Sequence, residues 1–394
     1  MRMKILGAEP IHNLPTEMSP KRSVILSIIE VIFMSRTALA ILSTENLLHN
    51  INVIKHKINP GTKIIAMVKA NAYGHGLRSV SLRIQEHVDM LGVASIDEAL
   101  ALRKAGITIP IMLAEGVFES SELIIASTEK FHVVFHDPTQ VEWLNKLSCP
   151  IPLNAWFKIN TGMGRLGFNL DVAPTYYNHL LANKQVQKPL RILSHLACAD
   201  IMEHPLNAKQ LSAFSNFIQD KEAEYSLCNS AAIFAFPEHH YDFVRPGLAI
   251  YGVSPVEGKT ASDLDLKPVM TIQTSLIAVH KTKKGDTLGY GARYTCEEDM
   301  PIGVVAFGYG DGYPVTAQDG TPILVNNKIC KLAGRVSMDM LTVDLRSCPQ
   351  AKVGDPVILW GQGLPIEEVT HFTSSITYQI LSGVQHRVKF LWTK

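Results

Sequence analysis

The feature that most constrains this chain is a series of short apolar runs between residues 63 and 245. They are Lys63–Val68, Leu91–Ala94, Ile109–Leu113, His132–Phe135, Leu153–Ile159, Arg191–Leu196, Tyr225–Cys228 and Tyr241–Val244. Each is rich in apolar or β-branched residues, the pattern of a strand buried on both faces. Stretches of helical periodicity separate them. The clearest is Ile96–Lys104, entered through Ser95 with Glu98 three residues on, the spacing of a capping box. Another is Ala208–Lys221, with Leu211, Phe214, Phe217 and Ile218 on one face. About eight strand–helix units over roughly 190 residues meet the requirement of a (β/α)8 TIM-type barrel. A doubly wound sheet alternates in the same way and stays the structural rival, because one sequence does not reveal strand order.

After residue 265 the pattern changes. Short alternating runs such as Val269–Val279, Ile302–Phe307, Ile323–Val325, Leu341–Leu345 and Val357–Trp360 are separated by Lys284-Gly285-Asp286, Asp319-Gly320 and Val353-Gly354-Asp355. Helical periodicity returns only near Ile366–Phe372. This predicts an α/β barrel over 34–265 and a mostly β domain over 266–394. Residues 1–33 read as an N-terminal extension. There Lys21 and Arg22 precede an apolar run, Val24–Phe33, that has the outline of a weak export signal but carries Glu30 within it. Met34 offers an alternative start. The run is too short to span a bilayer.

The formal net charge is +1, which argues against a nucleic-acid or anionic-membrane partner. Cys149, Cys198, Cys228, Cys296, Cys330 and Cys348 are scattered, with no C-x-x-C pair and no metal-ligand spacing. They read as reduced thiols of a cytoplasmic protein without a metal centre.

Barrel enzymes work at the C-terminal ends of their strands, so polar residues there are the candidates. Lys69 follows Ile64-Ile65-Ala66-Met67-Val68. It is either a snorkelling side chain or a partly desolvated amine fit to attack a carbonyl. Ser230 and the pair Gly247-Leu248 follow the seventh and eighth runs, where barrels commonly bind phosphate through backbone N–H groups. Taken alone, Lys158 reads as an ion-pair partner, His195 as a core histidine and Tyr290 as a turn aromatic.

Context decides among these readings. Ala66-Met67-Val68-Lys69-Ala70-Asn71-Ala72-Tyr73-Gly74-His75-Gly76 closely resembles the cofactor-attachment segment of alanine racemases. Similarity continues through Lys158-Ile159-Asn160-Thr161-Gly162-Met163-Gly164-Arg165, Ser194-His195, Asn229-Ser230, Arg245-Pro246-Gly247-Leu248, Leu288-Gly289-Tyr290-Gly291 and Gly308-Tyr309-Gly310-Asp311-Gly312, and on through Gly334-Arg335-Val336-Ser337-Met338-Asp339. The resemblance implies pyridoxal 5'-phosphate held covalently on Lys69. It gives Tyr73, Ser230, Gly247, Leu248 and Tyr378 to the phosphate, Arg165 to the phenolic oxygen, His195 to the ring face and Arg245 to the pyridine nitrogen. Arg165 and Met338 would meet the substrate, while Asp200, Tyr309 and Arg335 would line the channel by which it enters. Lys158 matches a lysine that is often carbamylated. Asn160 stands where relatives carry Asp, and Gln379 where they carry Glu.

The resemblance further implies racemisation of alanine by two bases. Lys69 would serve one face of the α-carbon, and Tyr290, supplied by the partner subunit of a homodimer, the other. Tyr290, His195 and Arg245 would form a chain. Cell-wall peptidoglycan would consume the D-alanine. A broader amino-acid racemase is a second reading. A non-catalytic pyridoxal-phosphate carrier is a third, opposed by the β domain, which such carriers lack. A decarboxylase on a similar fold is disfavoured by Arg245 and the Lys69 context.

Overall fold

A computed structural model describes residues 36–394; the expected extension over 1–33 lies outside them. The eight expected runs form strands Lys63–Met67, Met90–Val93, Ile111–Leu113, His132–Phe135, Leu153–Asn160, Val186–Leu193, Tyr225–Asn229 and Phe243–Arg245. Each pairs in parallel with the next, and the last returns to the first through Phe243 opposite Lys63 and Val244 opposite Ile64. The sheet is therefore a closed barrel, and the doubly wound alternative is excluded. The sixth strand begins earlier than expected, because Val186 and Gln187 pair with Leu153 and Asn154, and it stops before Ser194.

Alternation along the first strand divides the core. Ile65 and Met67 join Met90, Met112, Val134, Trp156, Leu193 and Phe243 inside the barrel. Ile64, Ala66 and Val68 face the surrounding helices. The interior is filled with side chains, as a barrel of this size requires. A buried polar pair within it is satisfied: Trp156 Nε1 donates to His132 Nδ1 at 3.1 Å. Burial first, then Arg191 and Arg103, push His132 down to about 3, so it stays neutral.

The helix Ile96–Lys104 forms as expected, but its start differs. Ser95 makes no side-chain cap, and the Glu98 carboxylate instead accepts from Ala94 N at 2.9 Å and Ala70 N at 2.8 Å. Two N–H donors at the ends of neighbouring strands offer that carboxylate more than a reciprocal box does. The helix expected at Ala208–Lys221 spans Pro205–Ile218, with Pro205 in its first turn.

The second sheet has eight strands in the order Met300–Val305, Leu341–Asp344, Lys328–Leu332, Pro322–Val325, Pro356–Trp360, Met270–Thr282, Leu39–Ser43 and Lys389–Thr393. Leu39–Ser43 lies inside the 34–265 segment assigned to the barrel, yet it pairs antiparallel with Met270–Thr282 and parallel with Lys389–Thr393. From Leu39 the described chain thus runs first in this sheet, then crosses to build the barrel and returns to the sheet. Lys328–Leu332 and Lys389–Thr393 were not expected. The first carries Lys328 and Lys331, and the second is a largely exposed edge strand whose partner lies 350 residues away in sequence (Leu39 opposite Lys389).

The two domains are joined at Gly252. Its φ is +75°, and a Cβ would lie 1.7 Å from the carbonyl oxygen of Lys267. Beside it the buried Asn50 amide donates to Ile250 O and Lys267 O and accepts from Lys267 N. Gly252→Ala should therefore destabilise the fold by more than about 3 kcal/mol, as strain and overlap combine. An unchanged denaturant midpoint would contradict this account of the junction.

Candidate active site

Lys69 leaves the first barrel strand through an unusual segment. Ala70, Asn71, Ala72 and Tyr73 have φ of 53°, 55°, 54° and 51°, a left-handed turn built without glycine. Each such residue costs roughly 1–2 kcal/mol. The turn is held by Ala72 N to Val68 O at 2.8 Å, Gly74 N to Ala70 O at 3.1 Å and the Glu98 carboxylate on Ala70 N. Gly74 closes it in contact with the C-terminal helix Thr377–Ser382, where a Cβ would lie 2.0 Å from Leu381 O. Strain maintained this firmly is typical of functional segments.

Lys69 lines a cavity of about 590 Å³ at the C-terminal end of the barrel. Met67, Met112 and Leu193 form its floor. Tyr73, Lys158, Arg165, His195, Ser230, Arg245, Gly247, Leu248 and Tyr378 complete the set of expected residues that meet there. Tyr290, Met338, Tyr309, Arg335 and Asp200 do not line it. Tyr290 is 71% exposed and Met338 53%. Tyr309 N donates to Ser337 O and Gly310 N to Met338 O, while Gly289 packs on Arg335, so four of the five share one open face of the β domain. Asp200 stays on the barrel, near enough to Tyr378 to add to the upward shift that burial gives that phenol.

One end of the cavity is built for an anion. Ser230 Oγ accepts from Gly247 N at 2.7 Å and Ala249 N at 3.3 Å. Gly247 must be glycine, because a Cβ would lie 2.3 Å from the Tyr73 hydroxyl. That hydroxyl, the Ser230 hydroxyl and the backbone N–H groups of this turn form the cradle a phosphate needs. Tyr73 is fixed between Tyr251, stacked at 4.9 Å, and Tyr378 at 5.9 Å. Burial, then Tyr378, raise its phenol, so it is a neutral donor.

The other walls carry positive charge. The buried Arg245 guanidinium donates to Ser226 Oγ and Ser194 O, both at 2.5 Å, to Leu227 O at 3.1 Å and to His195 Nδ1 at 3.4 Å. Burial brings it down only to about 10, so it remains a cation at neutral pH. His195 is held well below the usual histidine range by burial and then by Arg245. Lys158 is pushed down to about 7 by burial, then by Arg245, Arg165 and Lys69, with Glu115 opposing. Asn160, which replaces the expected Asp, caps the following loop: its Oδ1 accepts from Gly162 N at 3.1 Å and Gly164 N at 3.0 Å. An aspartate would do the same, so the loop keeps its shape.

Glu115 was missed in the sequence. It follows the third strand in Met112-Leu113-Ala114-Glu115 and its Oε1 lies 3.4 Å from Lys69 Nζ. The rule that selected Lys69, a charge at the end of an apolar strand, selects Glu115 as well.

A reactive amine, an anion cradle and a donor arginine around one barrel-top cavity define a pyridoxal-phosphate-dependent barrel enzyme, and the residues fit that cofactor. Comparison with known proteins makes this specific. The profile of alanine racemase N-terminal domains matches residues 42–255, and that of alanine racemase C-terminal domains matches 269–392. The chain is 43% identical to an alanine racemase of Aeromonas hydrophila over 353 residues, covering 90% of this chain and 98% of that one. It is 42% identical to the biosynthetic alanine racemase of Escherichia coli over 354 residues, with the same coverage. The crystal structure of biosynthetic alanine racemase from Pseudomonas aeruginosa superposes with a TM-score of 0.89 at 39% identity, covering 91% of this chain and all of that one. An alanine racemase from Bartonella henselae with covalently bound pyridoxal phosphate gives 0.81 at 26% identity, covering 91% and 99%. The chain belongs to the alanine racemase family.

The Lys158 shift has a testable consequence. Its ordinary value is 10.5 and its folded value about 7. Above pH 10.5 the amine is neutral in both states and costs nothing. Between 10.5 and 7 the unfolded chain binds the proton and the folded chain does not, so stability falls as pH falls. Below about 7 the cost is constant. In carbon-dioxide-free buffer, Lys158→Met should stabilise the cofactor-free protein most at pH 7 and least near pH 10.5. A pH-independent difference in unfolding free energy between the two proteins would refute it.

Proposed function

We propose that this alanine racemase works with two bases, Lys69 and Tyr290, drawn from different subunits of a homodimer. The reading is carried by one observation: ten expected residues meet in one cavity, while Tyr290 and Met338 stand outside it, exposed on the β domain of the same chain. A two-fold dimer would lay that face over the mouth of the neighbouring barrel and make two equal sites.

Bound pyridoxal phosphate supplies the electron sink that makes the α-hydrogen of alanine acidic. Lys69, beside the cofactor's reactive end, takes or gives the proton on the face it reaches, that of D-alanine. Tyr290 serves the face of L-alanine. A phenol needs help to give up its proton near neutral pH, and the chain from Tyr290 to His195 to Arg245 provides it. Arg245 can only donate, so beside the pyridine nitrogen of a bound cofactor it would not protonate it, which would keep the sink shallow and limit transamination. Ser230, Gly247, Leu248, Tyr73 and Tyr378 hold the phosphate. Arg165 would orient the phenolic oxygen and meet the substrate, and Met338 would reach the substrate carboxylate from the partner subunit. Asp200, Tyr309 and Arg335 line the way in. Lys158, an amine partly neutral near pH 7 among cations, is suited to take up carbon dioxide, which would turn a positive charge into a negative one beside Arg165. The D-alanine produced serves peptidoglycan synthesis.

Lys69→Ala should abolish racemisation and the visible absorbance of the lysine-bound cofactor. The shared site is tested by mixing. Lys69→Ala and Tyr290→Ala chains, each inactive alone, should recover roughly a quarter of wild-type activity after subunit exchange, since half the dimers are mixed and each carries one intact site. Exchange proven by mass spectrometry without recovery would place both bases on one chain.

A further inference from the structure

Glu115 has no role in the mechanism so far, yet it touches the amine on which the reaction turns. Among the described residues that line the main cavity, it is the one carboxylate among the cations Lys69, Lys158, Arg165 and Arg245. Its position is built. Gly116 N donates to Leu113 O at 3.0 Å, closing a tight turn at the end of the third strand. Gly116 has φ +75°, and a Cβ there would lie 2.4 Å from Val134 O. The His136 Nε2–H donates to the Glu115 carbonyl at 3.0 Å, and the His136 backbone N–H is held by Gln140 Oε1 at 2.9 Å. The turn thus fixes the backbone and leaves the carboxylate directed at Lys69.

The same residue faces a second space. A smaller cavity of about 360 Å³ is lined by Phe118, His136, Asp137, Trp143 and Leu166, with Glu115 and Leu166 shared between the two. The Lys69 and Glu115 side chains are 34% and 39% exposed. Glu115 therefore stands at the wall between the reacting amine and this second, outer chamber.

We propose that Glu115 is a further catalytic residue, the relay that exchanges protons between Lys69 Nζ and solvent. The proposal rests on the reading of Lys69 as the base for D-alanine. After Lys69 has given a proton to the α-carbon, the Glu115 carboxylate takes a proton from water in the second chamber and hands it to the neutral amine. In the other direction the Lys69 ammonium gives its proton to the Glu115 carboxylate, which passes it to water. One proton moves at each step and no other bond changes. The charged and titratable groups around the relay are Lys69, Lys158 and Arg165 on the inner side and His136 and Asp137 on the outer side. His136 is lowered by burial and further by Lys158, so it is a neutral donor to the turn.

The test uses α-deuterated D-alanine in ordinary water and counts deuterium lost from the D-alanine pool per racemisation event. In the wild type, Lys69 passes the deuteron out before it can return it. In Glu115→Gln that ratio should fall toward about two thirds of the wild-type value, because a freely turning –NH2D+ group that no longer exchanges with solvent returns its deuteron in roughly one of three transfers. Glu115→Asp should recover part of the loss. In cofactor-free protein, Lys69 of Glu115→Gln should also react faster with an acylating reagent at fixed pH, because the ammonium has lost the carboxylate beside it. A wild-type washout ratio in Glu115→Gln overturns the relay, and it does so even if labelling is faster, for Glu115 is then a counter-ion only. Persistence of D-alanine washout in Lys69→Ala would instead refute the assignment of Lys69 itself, so the two failures are distinct.

Discussion

The site depends on closure of the barrel. Until Phe243–Arg245 pairs with Lys63–Met67, Lys69 and Arg245 are 176 residues apart in sequence and share nothing. Once it does, Met67 N donates to Pro246 O at 2.9 Å, and the Tyr251 hydroxyl donates to Met67 O at 3.0 Å. The end of the first strand is thereby tied to the turn after the eighth. The amine and the anion cradle sit side by side because they flank the seam at which the sheet joins itself. A doubly wound sheet with the same strands would have its first and last strands at separate positions and would build no such site.

Closure also concentrates charge. Strand ends converge on a rim a few residues across, so Lys69, Lys158, Arg165 and Arg245 repel one another there. Arg245 is stabilised as a cation by four acceptors, three of them within 3.1 Å. Among the described residues Lys158 has no such partners and is displaced toward the neutral form by burial and then by these cations, and His195 is held neutral by burial and the same field. Such a cluster is costly for a protein alone and well suited to receive a phosphate and a carboxylate. The floor of Met67, Met112 and Leu193 strengthens these interactions by keeping water from below.

How much of this could be read in the sequence follows from how local each feature is. The barrel strands were legible because burial on both faces leaves uninterrupted apolar runs, and their ends marked Lys69 and the turn at Gly247. The left-handed turn was not legible: Ala70, Asn71 and Ala72 carry no signal for positive φ, and what holds them is a carboxylate 28 residues away at Glu98. The same bond explains why the capping-box pattern at Ser95 misled. Leu39–Ser43 could not be placed, since an alternating five-residue strand reads the same in either sheet and its partners lie at the other end of the chain. Glu115 is legible by the same rule as Lys69, a charge at the end of an apolar strand, although no resemblance singles it out.

The β domain meets the barrel at one place in a way that decides what it can do elsewhere. Helix Thr377–Ser382 lies against the left-handed turn so closely that Gly74 has no room for a Cβ, and it brings Tyr378 to the anion end of the cavity. The Gly252 junction and the strand Leu39–Ser43 fix the same domain from below. Held at these points, the domain places Tyr378 in the cavity wall while Tyr290 and Met338 do not line it. Its contribution to its own site is therefore the phosphate wall. Tyr290 and Met338 remain exposed on the turns of that domain. The strained Lys69 segment, the crossing strand and the Tyr378 helix thus act together, holding the β domain against the end of the cavity where Tyr73 and Tyr378 meet.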